Sequence, residues 1–313
     1  MERRQLGASG VDVSRLLLGC GNFGGIGSAP ELFGHGESEA EAFDLMDAAW
    51  SLGMRTFDTA DAYGGGRSEQ AIGNWIASRG NRPEIITKTF NPMDAGADHG
   101  LSRSRMARQL ESSLDRLGVD HVDLYLAHDF DPETPVEETV ASFEGLQELG
   151  LIKAWGVSNF DAEQLRQVCA VGRPAVVQNA YNLVERGDEE EVIGLCAQLN
   201  ISYMAFGPLA GGLLTGKYRL GEPAPDGSRL AQRPGPYERL LTDHTFAALE
   251  RFAAAAEERK VSPATLATAW LLTQRAVTAI VVGPRTQMHI GMALRAFDVQ
   301  LSRADADELA DLF

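Results

Sequence analysis

Cysteine is scarce in this sequence: Cys20, Cys169 and Cys196 are the only thiols. The count is odd, the chain is long and there is no C-x-x-C pair. Neither a disulfide framework nor a cysteine zinc site is indicated, and a reducing cytoplasm is the expected setting. Basic residues are also few. Lys and Arg number 28 against 44 Asp and Glu, for a formal net charge of −16. That balance argues against a nucleic-acid partner, whose phosphates are bound through Lys and Arg, and against docking on anionic lipid. No run approaches the ~18 uninterrupted apolar residues of a membrane span. The opening, Met1 to Gly7, leads into no apolar core of a secretory signal. The histidines (His35, His99, His121, His128, His244, His289) form no H-x-H or H-E-x-x-H pattern, so no metal site is expected. The G-x-S-x-G elbow of serine hydrolases is missing too.

What remains is an ordinary folded composition, 44% hydrophobic and 23% charged over 313 residues. Short apolar runs alternate with longer amphipathic ones. Strands are expected at 16–20, 56–60, 84–88, 122–128, 152–158, 175–181, 202–208 and 276–283. Their nearly continuous Val/Ile/Leu character suits parallel strands covered on both faces. Helices are expected after the capping-box pattern at Ser38–Glu41, at 101–117 and 136–149, from Asp161 onward, and at 189–199, 243–260, 263–274 and 287–297. This alternation predicts an α/β fold. Its form is a (β/α)8 TIM barrel occupying 1–313 as one domain, with an open doubly wound sheet as the alternative. Two stretches break the rhythm: glycine-rich 21–37 and proline-rich 210–242. Loops of such length usually serve function, and both are expected at the C-terminal face.

In such barrels the reactive residues sit at the C-terminal ends of strands. Asp58, Tyr63, Lys88 and His128 fall there on three successive strands. Each has an ordinary alternative: a turn cap, a surface aromatic, a snorkelling amine, a loop start. Together they make a proton relay. A free tyrosine, with a pKa near ~10, is a poor acid at neutral pH. A nearby lysine would favour the phenolate and lower that pKa. Asp58 would pair with Lys88 and keep it charged, and His128 would orient a substrate oxygen. The set protonates a carbonyl or deprotonates an alcohol, and it needs an external hydride donor.

The runs Phe57-Asp58-Thr59-Ala60-Asp61-Ala62-Tyr63-Gly64, Thr87-Lys88, Leu124 to His128, Gly156 to Phe160, Val177 to Asn182 and Phe206 to Tyr218 come in a familiar order and spacing. Together they resemble the aldo-keto reductases, including the branch related to potassium-channel beta subunits. Residues 4–10 are similar to the β-hairpin that precedes the barrel in that family. The resemblance implies a barrel carrying out NAD(P)-dependent carbonyl chemistry, with Asp58, Tyr63, Lys88 and His128 as the catalytic tetrad and Tyr63 as general acid. It places Ser158, Asn159 and Gln178 on the nicotinamide carboxamide and Phe206 against the nicotinamide face. Gly207, Pro208, Leu209, Gly211 and Lys217 fall on the pyrophosphate segment. Gly283, Arg285 and His289 fall on the adenosine segment. There His289 stands where Gln or Arg is usual, and Met292-Ala293 replace the usual Glu-Asn. Arg285 as partner of a 2′-phosphate favours NADPH, with NADH also open.

The expected partner is a small, neutral carbonyl compound, and the oligomeric state is open. The oxidative direction, as an NAD(P)-dependent sugar or alcohol dehydrogenase, is the alternative, and a cofactor-binding regulatory subunit is a third reading. Gly19-Cys20-Gly21-Asn22-Phe23-Gly24 also matches G-x-G-x-x-G. No helix is expected to follow it directly, so it reads as a barrel loop rather than a dinucleotide fingerprint, with Phe23 near the substrate mouth.

Overall fold

The apolar runs form strands wherever they are expected. The computed structural model describes residues 1–96 and 98–313. Strands β1 (Arg3–Gln5) and β2 (Asp12–Ser14) make an antiparallel hairpin with Arg3 opposite Ser14. The barrel strands follow: β3 (Leu16–Gly19), β4 (Thr56–Asp58), β5 (Glu84–Thr89), β6 (Val122–Ala127), β7 (Ile152–Ser158), β8 (Val176–Ala180), β9 (Ser202–Phe206) and β10 (Val277–Val282). All neighbours are parallel, and β10 pairs with both β9 and β3, closing an eight-stranded barrel. No helix among the described residues is long and apolar enough to cross a membrane.

The expected helices form with trimmed ends. Ser38 caps Glu39–Ser51 in a capping box with Glu41, and Asp161 caps Ala162–Val171 in another with Gln164. Two helices were not expected, Arg67–Arg79 and Arg303–Ala310. The first buries Ser68 and Glu69 on its inner side, so it lacks a clean apolar stripe. Its Gly73 is required by packing. A Cβ there would come 2.2 Å from the Arg116 carbonyl oxygen of the neighbouring helix Arg103–Leu117. The second is short and acidic, and starts from a Ser302–Asp305 capping box. Within 210–242 the chain makes single helical turns, at Ala210–Thr215, Arg229–Gln232 and Gly235–Leu240.

Two apolar cores result. The outer one lies between strands and helices and includes Phe57, Trp75, Tyr125, Phe143, Trp155 and Trp270. The inner one fills the barrel with Leu17, Ile86, Leu124, Leu126, Ala154, Val176, Met204 and Ala279. Leu6, Val11 and Val13 of the hairpin pack onto this inner core. The hairpin therefore stoppers the N-terminal end of the barrel.

Candidate functional site

Side chains two apart on a strand point to the same face. Two residues above the inner layer, Ile86 leads to Lys88, Leu126 to His128, Val176 to Gln178 and Met204 to Phe206. The polar groups thus form the next layer of the barrel interior, directly above an apolar floor. Asp58 ends β4, and Tyr63 opens the helical turn Tyr63–Gly66 just beyond it.

The four groups meet. Lys88 Nζ donates to Asp58 Oδ1 at 2.6 Å and to the Thr59 carbonyl at 2.8 Å. The same ammonium lies 5.1 Å from the Tyr63 ring centroid. Tyr63 Oη is 3.5 Å from His128 Nε2, with the two rings edge to face. Asp58 and Lys88 are both sealed from solvent. Asp58 Oδ2 is also engaged, accepting from Gln178 Nε2 at 2.7 Å.

Burial decides the charge states. It pushes the Tyr63 phenol above its ordinary value, and the opposing pull of Lys88 does not overcome it. This corrects the expectation of a net lowering by the lysine: the lysine acts in the expected sense, but desolvation is larger. Burial also pulls on the Lys88 ammonium, yet Asp58 and Tyr63 outweigh it and its pKa ends above the usual lysine value. His128 is driven down to about 3, first by burial and then by Lys88. At neutral pH the site therefore holds a protonated phenol, a charged lysine and a neutral imidazole.

Behind this layer lies a polar support that the sequence did not bring forward. Glu69, wholly buried, accepts from Thr87 Oγ1 at 2.5 Å and from Arg116 Nε at 2.7 Å. Arg105 Nη1 donates to Thr89 Oγ1 at 2.8 Å and to the Gly100 carbonyl at 2.9 Å. Asp61, two residues before Tyr63, is buried with neither carboxylate oxygen hydrogen-bonded, and its pKa rises to about 7 through burial and the nearby Glu69. Asp61 lies inside the 57–64 run that carries the resemblance, but nothing local distinguishes it from a solvated acid.

The residues expected to hold a cofactor fall into two groups. Ser158, Asn159 and Gln178 join the tetrad. Ser158 Oγ donates to the Gln178 carbonyl at 2.7 Å, and Asn159 Nδ2 to the His128 carbonyl at 2.7 Å. Asn159 adopts a left-handed φ of 62°, which Asn tolerates better than most residues. The helix beyond is capped by Asp161, so capping does not account for Ser158 or Asn159. Phe206 ends β9, half-buried. The second group lies at the rim. Gly207, Pro208, Leu209 and Gly211 make the turn after β9, with φ of 66° at Gly207 and 65° at Gly211. Lys217 is exposed, and its Nζ sits 5.1 Å over the Tyr218 ring. Gly283 leads from β10, and the Arg285 amide donates to His289 Nδ1 at 3.2 Å.

This rim suits phosphate groups. Lys217 and Arg285 both act on His289, and Arg233 and Arg285 both act on Arg229, each lowering the neighbour's pKa after burial has done so. In a chain of net charge −16, that gathering of cations beside Gly207 and Gly283 is a local positive field that favours anionic groups, although Arg285 already pairs with Glu37 and Arg229 with Asn22. A Cβ at Gly207 or Gly283 would meet nothing within 4 Å, so both positions border open space. The adenine end fits less well. Ala293 is buried in helix packing, and the Met292 carbonyl accepts from Thr265 Oγ1.

The G-x-G-x-x-G stretch packs against the Tyr63 turn. A Cβ at Gly24 would come 2.4 Å from Arg67 Cβ, and one at Gly25, the residue after the stretch, would come 2.6 Å from Gly64 Cα. Phe23 is buried in the outer core rather than placed at the mouth. Glu37, at the end of this loop, pairs with Arg285 at 3.0 Å across a sequence separation of 248 residues, a contact with no local signal.

The sequence profile described as the Aldo/keto reductase family matches residues 15–312. The chain is 34% identical to an uncharacterized oxidoreductase of Bacillus subtilis (strain 168), covering all of this chain and 96% of that protein. It is 33% identical to a probable voltage-gated potassium channel subunit beta of Oryza sativa subsp. japonica, over 96% of this chain and 92% of the other. A glycerol dehydrogenase from Gluconobacter oxydans superposes with a TM-score of 0.84 at 27% identity, covering 99% of this chain and 94% of that one.

Proposed function

The chain belongs to the aldo/keto reductase family of oxidoreductases, and from that premise we propose that it reduces aldehydes or ketones to alcohols with NADPH, Tyr63 being the general acid. The observation that carries this reading is the meeting of four side chains from three successive strand ends. A protonated Tyr63 faces a neutral His128 across 3.5 Å, with Lys88 held beside them by Asp58. When bound, the reduced nicotinamide supplies the hydride. Tyr63 Oη gives its proton to the carbonyl oxygen, and Lys88 stabilises the phenolate left behind. Asp58 keeps Lys88 charged in a dry site. His128, uncharged, holds the carbonyl oxygen in line through Nε2. Tyr63 Oη and His128 Nε2, 3.5 Å apart, are close enough for one carbonyl oxygen lying beside both to accept a hydrogen bond from each.

Ser158, Asn159, Gln178 and Phe206 hold the nicotinamide end. Gln178 Nε2 is occupied by Asp58, so its amide oxygen is the group it offers. Gly207, Pro208, Leu209, Gly211 and Lys217 hold the pyrophosphate, and Gly283, Arg285 and His289 the adenosine end. The chain works as one unit over residues 1–313, in a reducing cytoplasm where Cys20, Cys169 and Cys196 stay free.

The test is a fluorescence titration with NADPH and NADH, followed by turnover of 4-nitrobenzaldehyde. Tighter NADPH binding with turnover is expected. Binding without turnover on a carbonyl panel would sink the reductase reading and leave a regulatory one, in line with the rice relative's name. The glycerol dehydrogenase likeness favours a second reading, oxidation of a polyol. Tyr63 serves it in reverse, and faster turnover of glycerol with NADP+ or NAD+ than of any carbonyl would select it.

A further inference from the structure

Three separate loops converge on one buried carboxylate at the rim. Glu37 closes the loop after β3, Gly227 and Arg229 lie in the long loop after β9, and Arg285 follows β10. Glu37 is 6% exposed in a region otherwise rich in cations. Its Oε1 accepts from Arg285 Nε at 3.0 Å, while its Oε2 is buried with no hydrogen-bond partner. The backbone around it is pinned: the Glu37 amide donates to the Asn22 carbonyl, and the Gly24 amide donates to the Glu37 carbonyl, both at 2.8 Å. Arg229 Nη2 ties the same loop at Asn22 Oδ1, 2.5 Å away. The carboxylate is therefore built in, not a surface side chain that happens to reach an arginine.

We propose that Glu37 is a specificity-determining residue that sets the choice between NADPH and NADH by competing with the 2′-phosphate for Arg285. This rests on the reading above, in which Arg285 meets that phosphate. Arginine recognises phosphate best through a pair of parallel N–H groups. Here Nε is taken by Glu37, and Nη1 donates to the Gly227 carbonyl. An arriving 2′-phosphate finds a guanidinium with two of its donor groups engaged and a fixed negative charge behind it. A ribose 2′-hydroxyl carries no charge and meets no such repulsion. Glu37 thus narrows a preference for NADPH that Arg285 alone would make wide, and the loss of the usual adenine pair at Met292 and Ala293 leaves this contest with more weight in the overall affinity.

The experiment is equilibrium binding, without turnover, of NADPH, NADH, adenosine 2′-monophosphate and adenosine 5′-monophosphate to the wild type, Glu37→Gln, Glu37→Asp and Arg285→Ala. Glu37→Gln keeps shape and removes charge. It should tighten NADPH and the 2′-monophosphate at least about fivefold, the lower end of coupling between linked sites. NADH and the 5′-monophosphate should change less than about twofold. Glu37→Asp, which draws the carboxylate back, should fall between wild type and Glu37→Gln, and it carries the test should the Gln variant fold poorly. Equal changes for both dinucleotides, or weaker NADPH binding, would overturn the proposal. Arg285→Ala separates the two levels. If it weakens NADPH selectively while the Glu37 variants are unselective, only the Glu37 proposal fails. If it weakens both dinucleotides alike, Arg285 does not read the phosphate and the proposal falls with that reading.

Discussion

Lys88 reaches Asp58 Oδ1 at 2.6 Å with both side chains closed off from solvent. A pair in that setting is costly to break from one side, because the remaining charge has no water to turn to. Asp58→Ala is expected to lower unfolding free energy by about 3–5 kcal/mol, and it also strips Gln178 Nε2 of its acceptor. Urea denaturation measures this. Asp58→Ala combined with Lys88→Met should cost less than the sum of the two single changes, since the double variant leaves no orphan charge. Strict additivity would mean that the pair is not coupled.

Tyr63→Phe removes only the hydroxyl that faces His128. Turnover should fall at least ~100-fold, the low end for a lost general acid, while NADPH affinity by fluorescence titration stays within about twofold, no acid–base step being involved in binding. A variant as active as the parent would remove Tyr63 from the mechanism.

His128, pushed down to about 3, should remain neutral through the physiological range. Histidine-selective 15N NMR from pH 5 to 8 should show a His128 imidazole that does not titrate, identified by its absence from the spectrum of His128→Gln. A carbonyl-reduction profile with an inflection near 6.5 that vanishes in that variant would contradict the neutral assignment.

Asp61 has its pKa raised to about 7 in the folded chain by burial and Glu69. The unfolded chain ionises near ~4. Between those values the native state holds a proton that the unfolded state has released, so this residue's contribution to stability is full below about pH 4. It is lost as pH rises through about 7. Asp61→Asn removes that slope. Relative to the parent, it should be more stable at pH 8 than at pH 5, by an amount of order a few kcal/mol, as measured by urea unfolding at the two pH values. A difference independent of pH would show that Asp61 is not the titrating group.

Much of the fold was legible because parallel barrel strands are covered on both sides and read as plain apolar runs. The polar layer was legible for a related reason. Lys88, His128 and Gln178 each sit two residues past an apolar inner-layer residue, so an alternation that continues into polar types marks the strand end where the interior opens. Arg67–Arg79 was hidden because Ser68, Glu69 and Gly73 share its buried face with Ala71, Ile72 and Trp75, which dilutes the apolar stripe. The net shift of Tyr63 was hidden because desolvation depends on everything packed around the ring, whereas the pull of Lys88 needs only one neighbour. The pairing of Glu37 with Arg285 joins the first and last loops of the barrel, and no window of sequence contains both.

The hairpin of Leu6, Val11 and Val13 gives the barrel a floor. Above it the inner layer of Leu17, Ile86, Leu124, Leu126 and Met204 fills the interior, so the barrel is a plug and not a tube. The polar layer on top of that plug can be approached from the C-terminal side alone. The loops after β3, β9 and β10 therefore frame its single approach, and a change in 210–242 can alter access without touching the polar layer itself.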